Sequence, residues 1–272
     1  MQGCRTSCAR GPHLRGVVLH ALAAACLAAT LGGCSTSSNR WVSLRTTPRN
    51  PLTDTLGLVT RQGPKPTERT MQLLRRYDMV GRLQGDRAAL LAEIEAIDRR
   101  EPNREHAYAQ AELAYVGAKK AETAMKTDEA LKLYGASVLH AYRYLFADGY
   151  AATSNPYDPQ FRRACDLYNG ALEGTLRIVR AGGKLSPGTT HMLHAADGDC
   201  QIEVVLRSNG WHADDIDHIE FVSDYEVHGL RNHYHNFGLG VPLIAVRRHH
   251  EGADPDEAFY PPDLSFPVTA FL

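Results

Sequence analysis

The spacing of apolar residues changes period once along this chain, and that change constrains the fold more than any other feature. From Thr67 to Gly183 apolar side chains recur three and four residues apart, whereas beyond Lys184 they fall into short runs between glycine, asparagine and aspartate turns. Consecutive strands joined by short turns pair antiparallel, because a parallel pair needs a long crossover between its members. Helices first and strands second therefore predict an α+β fold, a helical domain over 67–183 followed by a β-rich segment over 184–272.

Within the helical half, Thr67 after Pro66 is placed to start a first helix running to about Val80, and Asp86 to start a second through Leu90, Ile94 and Ile97. A third helix from Asn103 carries an inward stripe of Ala107, Ala111, Ala114, Ala118 and Ala121, small enough to admit a close neighbour. That neighbour is the helix Asp128 to Phe146, with Ala130, Tyr134, Ser137, Val138, Ala141 and Leu145 on one face. The spacing of Ala130, Tyr134 and Ser137 resembles the second helix of a tetratricopeptide repeat, without a second copy at the interval an array needs, so an antiparallel hairpin is expected. Asp148 to Pro159 reads as loop, and a long helix follows from Phe161 to the Gly182-Gly183 stop. Strands are expected over 189–195, 200–207, 219–223, 242–247 and 267–272, with Asp197-Gly198 and Asn209-Gly210 as turns.

The first 33 residues follow different rules. Arg5, Arg10 and Arg15 precede an apolar run from Val17 to Leu31, too short for a membrane span, and Leu31-Gly32-Gly33-Cys34 closes it. Small residues directly before a cysteine resemble the lipobox of bacterial lipoproteins, which implies lipidation at Cys34 as the new N-terminus and a cell-envelope protein facing the periplasm. A plain secretory signal or an uncleaved signal anchor leaves Cys34 without a role. Residues 34–66, with Pro48, Pro51, Pro64 and Pro66, read as an extended tether wrapped on or linking to the body.

Cleavage before Cys34 leaves 239 residues, enough for a real core, and shifts the net charge from −1 to −4 because three arginines and no acid depart. Both signs are interspersed, which gives nucleic acid no basic face to bind. Of the six cysteines only Cys165 and Cys200 remain beside Cys34, so one disulfide is available and no zinc spacing survives. No Gly-x-Ser-x-Gly elbow, phosphate loop or His-Glu-x-x-His occurs, and no cofactor is expected. Ser137 lies inside a helix as a packing residue, and Gly238-Leu239-Gly240 precedes a strand as a turn or close approach. Histidine is the one abundant reactive type. His233-x-His235 on a strand, with Glu226 or His228 added as a third ligand, is the candidate metal set, weighed against surface histidines before a glycine turn. Asp214-Asp215-x-Asp217 reads as a solvated turn, since it lacks the glycine and glutamate of a calcium loop.

Longer phrases carry a second resemblance. They are Arg49-Asn50-Pro51-Leu52, Thr60 to Thr70, Leu73-Leu74-Arg75-Arg76-Tyr77-Asp78, Tyr142-Arg143-Tyr144-Leu145-Phe146, Pro156 to Arg162, Cys165-Asp166-Leu167-Tyr168-Asn169, Asp224-Tyr225-Glu226-Val227, Gly238 to Arg247 and Tyr260 to Pro267. Together they resemble the N-terminal region of a group of bacterial lipoproteins classed as α/β-hydrolases. In that family the nucleophile elbow, its acid and its histidine belong to a C-terminal domain, so the resemblance implies a truncated or split relative and carries over no catalytic residue. The expected role is a membrane-tethered, non-catalytic portion of an esterase-like or lipase-like protein, positioning or covering a catalytic domain supplied elsewhere. The alternative is a stand-alone envelope protein that binds another protein through its helical hairpin.

Overall fold

The computed structural model describes residues 41–48, 52, 59–60, 63–147, 157–182, 185–195, 198–207, 210–228, 238–249, 257, 259–261 and 263–272. The expected signal segment 1–33 and most of the expected tether 34–66 lie outside them. Residues 1–43 form one unit and 44–272 another. A short strand, β1 (Val42–Leu44), runs across the boundary between Ser43 and Leu44.

The chain is α+β. Among the described residues five helices come first, α1 (Glu68–Arg76), α2 (Arg87–Arg100), α3 (Arg104–Thr123), α4 (Thr127–Phe146) and α5 (Pro159–Gly182). The two-residue strands β2 (Val59–Thr60) and β3 (Gly63–Pro64) pair with each other before them. The strands β4 (Thr190–Ala195), β5 (Gly198–Glu203), β6 (Ile216–Phe221), β7 (Tyr225–Val227), β8 (Val241–Arg247) and β9 (Ser265–Ala270) follow them.

Local chemistry explains most of the helix boundaries. Asp86 Oδ1 accepts the Ala88 N–H at 2.9 Å, and Asn103 Oδ1 accepts the Glu105 N–H at 2.9 Å, each satisfying a donor that a helix start leaves unpaired. The loop expected through Pro159 ends a residue earlier, because Asp158 Oδ1 accepts the Gln160 N–H at 2.9 Å and Pro159 suits the first helical position. α1 closes at Arg76, short of Val80, through a turn in which Asp78 takes φ +54° and the Met79 N–H reaches Leu74 O at 2.8 Å.

α3 is the central element. Its residues His106 to Ala118 are all buried, so it has neighbours on every side instead of one inward stripe. The alanine row divides accordingly. Ala107, Ala111, Ala118 and Ala121 pack with α4 and α5, while Ala114 joins Leu74, Leu90, Ile94 and Ala136 in a second apolar cluster around α1 and α2. Ser137 Oγ on α4 donates to Ala111 O at 2.8 Å, which ties the two helices of the α3–α4 hairpin together.

β4 and β5 form an antiparallel hairpin in register Ala195↔Gly198, and β4 packs along α4. Gly198 thus opens β5, and the connecting residues 196–197 lie outside the described residues. The second sheet has the order β6-β8-β9, all antiparallel, with Ile219, Phe221, Leu243 and Ala245 buried toward the helices. The Arg247 N–H donates to Leu264 O at 2.8 Å, so alternate residues of β8 face β9 and Pro267 turns its backbone to the outer edge. Proline has no N–H to offer there, which blunts an edge that would otherwise template pairing.

Candidate functional site

The site with the most converging side chains is where α5 holds the sheet. Asn169 Nδ2 donates to Gly238 O at 3.0 Å, and its Oδ1 accepts the Gly240 N–H at 2.6 Å. Gly240 sits at φ +109°, and a Cβ there would meet the Thr269 side chain at 2.5 Å and Ala270 O at 2.9 Å, so both its backbone angle and its close approach require glycine. From the residue just before it, the Tyr168 hydroxyl donates to Leu272 O and accepts the Leu272 N–H, each at 2.9 Å. Farther along α5, Arg177 reaches Asp224 Oδ1 at 2.6 Å and Ser223 Oγ at 2.8 Å, with its guanidinium 4.2 Å from the Phe221 ring centre. Three side chains spaced along one helix thus clamp three separate points of the β region.

A second polar group lies among α1, α2, α3 and α4. The Tyr77 hydroxyl meets His106 Nε2 at 3.0 Å, and His106 Nδ1 lies 3.3 Å from Asp98 Oδ1. The connectivity is hydroxyl, imidazole, carboxylate, as in a proton relay. Its setting is a helix junction, since Asp98 also accepts the Asn103 N–H at 3.0 Å and an Arg143 N–H at 3.1 Å, and both His106 and Asp98 are buried. One carboxylate therefore ties the end of α2 to the start of α3 and to α4. Farther along α3, the fully buried Glu112 accepts both the backbone N–H and the hydroxyl of Thr67. Thr67 occupies the expected position before α1, but its hydroxyl turns to Glu112 and away from its own helix. Burial pushes the Glu112 carboxyl above the usual carboxylate range, against the opposing pull of the Thr67 hydrogen bonds.

The residues singled out from sequence are not gathered at either place. Cys34, His233 and His235 lie outside the described residues. His228 is exposed just past β7, and no group of three or more His, Cys, Asp or Glu suited to a metal occurs among the described residues. Cys165 is a free, buried thiol on α5, its pKa raised by burial and then by neighbouring Asp166. It packs in the helical core with Ala164 and Tyr168. Cys200 pairs through its backbone with Leu193 in the β4–β5 hairpin. Ser137 is a buried packing residue, and Asp215 accepts the His212 N–H at 2.8 Å in a short turn. No described helix is long and apolar enough to cross a membrane.

Tyr168 and Asn169 stood in the sequence only as part of a longer phrase, and Arg177, Asp98, His106 and Glu112 were not singled out, because a charged or polar residue on a helix is ordinarily a surface residue. Ala107, Ala111, Ala114, Ala118 and Ala121 lie within one arc of about 80° on α3, so the sequence marked one closely packed face and not the burial of His106, Gln110 and Glu112 around the rest of the helix. No protein-family model matches the chain, and neither does any curated protein or solved structure.

Proposed function

We propose that this chain is an envelope-tethered, non-catalytic scaffold, anchored by lipid at Cys34, that positions or covers an α/β-hydrolase-type catalytic domain supplied elsewhere. The observation that carries this reading is the α5 clamp. The phrases behind the family resemblance supply its parts: Tyr168 and Asn169 from one, Asp224 from another, Gly238 and Gly240 from a third. What is shared with that family is thus hardware for holding a small sheet on a helix, which is the task of a platform. The α3–α4 hairpin, joined through Ser137 and Ala111, also supports a reading as a TPR-like interaction module. Burial of α3 on all sides leaves such a module only its outer helices for a partner.

The test is activity-based labelling of the full chain purified from envelopes. With a serine-reactive fluorophosphonate and short-chain nitrophenyl esters, the protein alone is expected to show neither labelling nor turnover above background, because acyl transfer needs an activated nucleophile beside a base and oxyanion donors. A co-expressed hydrolase domain should co-purify with it and carry the label on its own serine. Turnover by this chain that is lost on changing one of its residues would overturn the reading.

A further inference from the structure

Past the end of β8 the chain builds a rigid polar corner that neither the α5 clamp nor the helix junction uses. Arg247, the last residue of β8, donates from Nη1 and Nη2 to the two oxygens of Glu257 at 2.7 and 2.6 Å, and both side chains are more than nine-tenths buried. A bidentate pair taken out of water holds its geometry, because parting it would strand two charges. Rings wall the guanidinium, whose centre lies 4.6 Å from the Tyr260 ring centre and 5.7 Å from that of Trp211. The two rings meet edge to face at 6.1 Å, and Phe266 on β9 stacks on Trp211 at 5.3 Å.

Two groups of this corner turn outward. Tyr260 has the guanidinium over one face, yet it is 42 % exposed, so its other face is open. His249 Nδ1 lies 3.0 Å from Glu257 Oε1, the atom that also accepts from Arg247 Nη1, and the His249 side chain is 44 % exposed. A carboxylate only accepts, so Nδ1 carries the hydrogen of that contact, and in the neutral imidazole Nε2 is an acceptor aimed away from Glu257. One buried carboxylate thereby fixes both the cation behind the Tyr260 ring and the orientation of the imidazole.

An open aromatic face with an oriented acceptor in the same corner matches a pyranose ring. The axial C–H bonds of such a sugar lie on the negative face of the aromatic ring, and its equatorial hydroxyls donate sideways to polar atoms. A purely apolar ligand would leave Nε2 without a partner. A proline-rich peptide needs a groove of open aromatic rings, whereas Trp211 is already packed by Phe266, Arg247 and Tyr260. We propose that Tyr260 and His249 form a saccharide site, in which one pyranose ring of an oligosaccharide stacks on Tyr260 and donates a hydroxyl to His249 Nε2. The site goes beyond the scaffold reading: it binds a glycan, performs no chemistry on it, and needs neither the lipid anchor nor a catalytic domain.

Trp211 reports on the site, since its ring stands 6.1 Å from that of Tyr260, and Trp41→Phe leaves it as the only tryptophan. The full chain is titrated with trisaccharides of glucose, galactose, mannose and N-acetylglucosamine, followed by Trp211 emission and by saturation-transfer NMR on the sugar protons. Expected is a saturable response to at least one of them. Tyr260→Ala should weaken it about tenfold, while Tyr260→Phe, which keeps the ring, should stay close to wild type. Tyr260→Leu keeps apolar volume without a ring and should behave as Tyr260→Ala, which separates stacking from a loss of folding. His249→Ala should weaken binding several-fold, and His249→Gln, whose amide oxygen accepts, should recover part of that loss. No response to any of the four sugars overturns the proposal, as does sugar binding that Tyr260→Ala or His249→Ala leaves intact. Equal losses in Tyr260→Phe and Tyr260→Ala refute the stacking. A proline-rich peptide that binds in place of the sugars, and is lost with Tyr260→Ala, assigns the face to a protein and also overturns it.

Discussion

Gly174→Ala should destabilise this protein even though alanine is the better helix former. Gly174 lies on α5 directly over the ring of Tyr134 on α4, and a Cβ placed there would sit 2.6 Å from Cζ and 2.7 and 2.8 Å from the two Cε atoms. Carbon atoms pack at about 3.5–4.0 Å, so the ring must retreat by about 1 Å. It has little room to do so. Tyr134 is fully buried, its ring centre is 5.9 Å from that of Tyr115, and its hydroxyl donates to Glu122 Oε2 at 2.8 Å. Overpacking of this kind costs about 1–3 kcal/mol. Breaking the bond to Glu122 adds only about 1 kcal/mol, less than is usual for a charged acceptor, since that side chain is 44 % exposed and water can replace the donor. The helix gains about 1 kcal/mol from replacing an interior glycine. The net is a loss of about 1–3 kcal/mol, where a helix without the close approach would gain about 1. Urea unfolding followed by circular dichroism, with equal m-values, measures it. Gly182→Ala, which meets nothing within 4 Å, is the control and should not destabilise. A Gly174→Ala protein as stable as wild type, or more so, would show that α4 and α5 do not meet at this distance.

Other consequences can be measured in the same way. Because burial raises the Glu112 carboxyl, the folded chain holds a proton that the unfolded chain has released above the ordinary carboxylate range. Its contribution is therefore most favourable at and below that range, and is lost as pH rises through the raised value. Glu112→Gln removes this titration, so its stability relative to wild type should improve steadily from acid to neutral pH. A difference that does not vary with pH would refute the assignment. Met125, 88 % exposed in the α3–α4 turn, takes φ +59° while the Lys126 N–H closes onto Ala121 O at 2.9 Å. Met125→Gly should stabilise by about 0.5–1 kcal/mol, since glycine adopts that conformation without a Cβ penalty. A lower midpoint in urea would count against the left-handed turn.

The sequence by itself determined what depends on neighbours along the chain. Asp86 and Asn103 announced their helices because an N-cap acts within three residues, and the change of period after Lys184 separated helices from strands because side-chain direction follows backbone repeat. The glycines around Leu239 were legible as a turn for the same local reason. Only the tertiary structure decided which faces meet. The stripe of five alanines on α3 is identical in sequence whether one helix or four surround it. That Ala114 belongs to a different cluster from Ala111 depends on α1 and α2 closing on the far side. Asn169, Arg177, Asp98 and Glu112 look like ordinary polar residues until the fold brings Gly240, Asp224, Arg143 and Thr67 to them from 71, 47, 45 and 45 positions away. The proline-rich arm read as an extended segment, and only the fold shows Arg45 bonded to Tyr225 and Leu52 buried. Spacing cannot encode such distances, because a contact between remote residues depends on the path of all the chain between them.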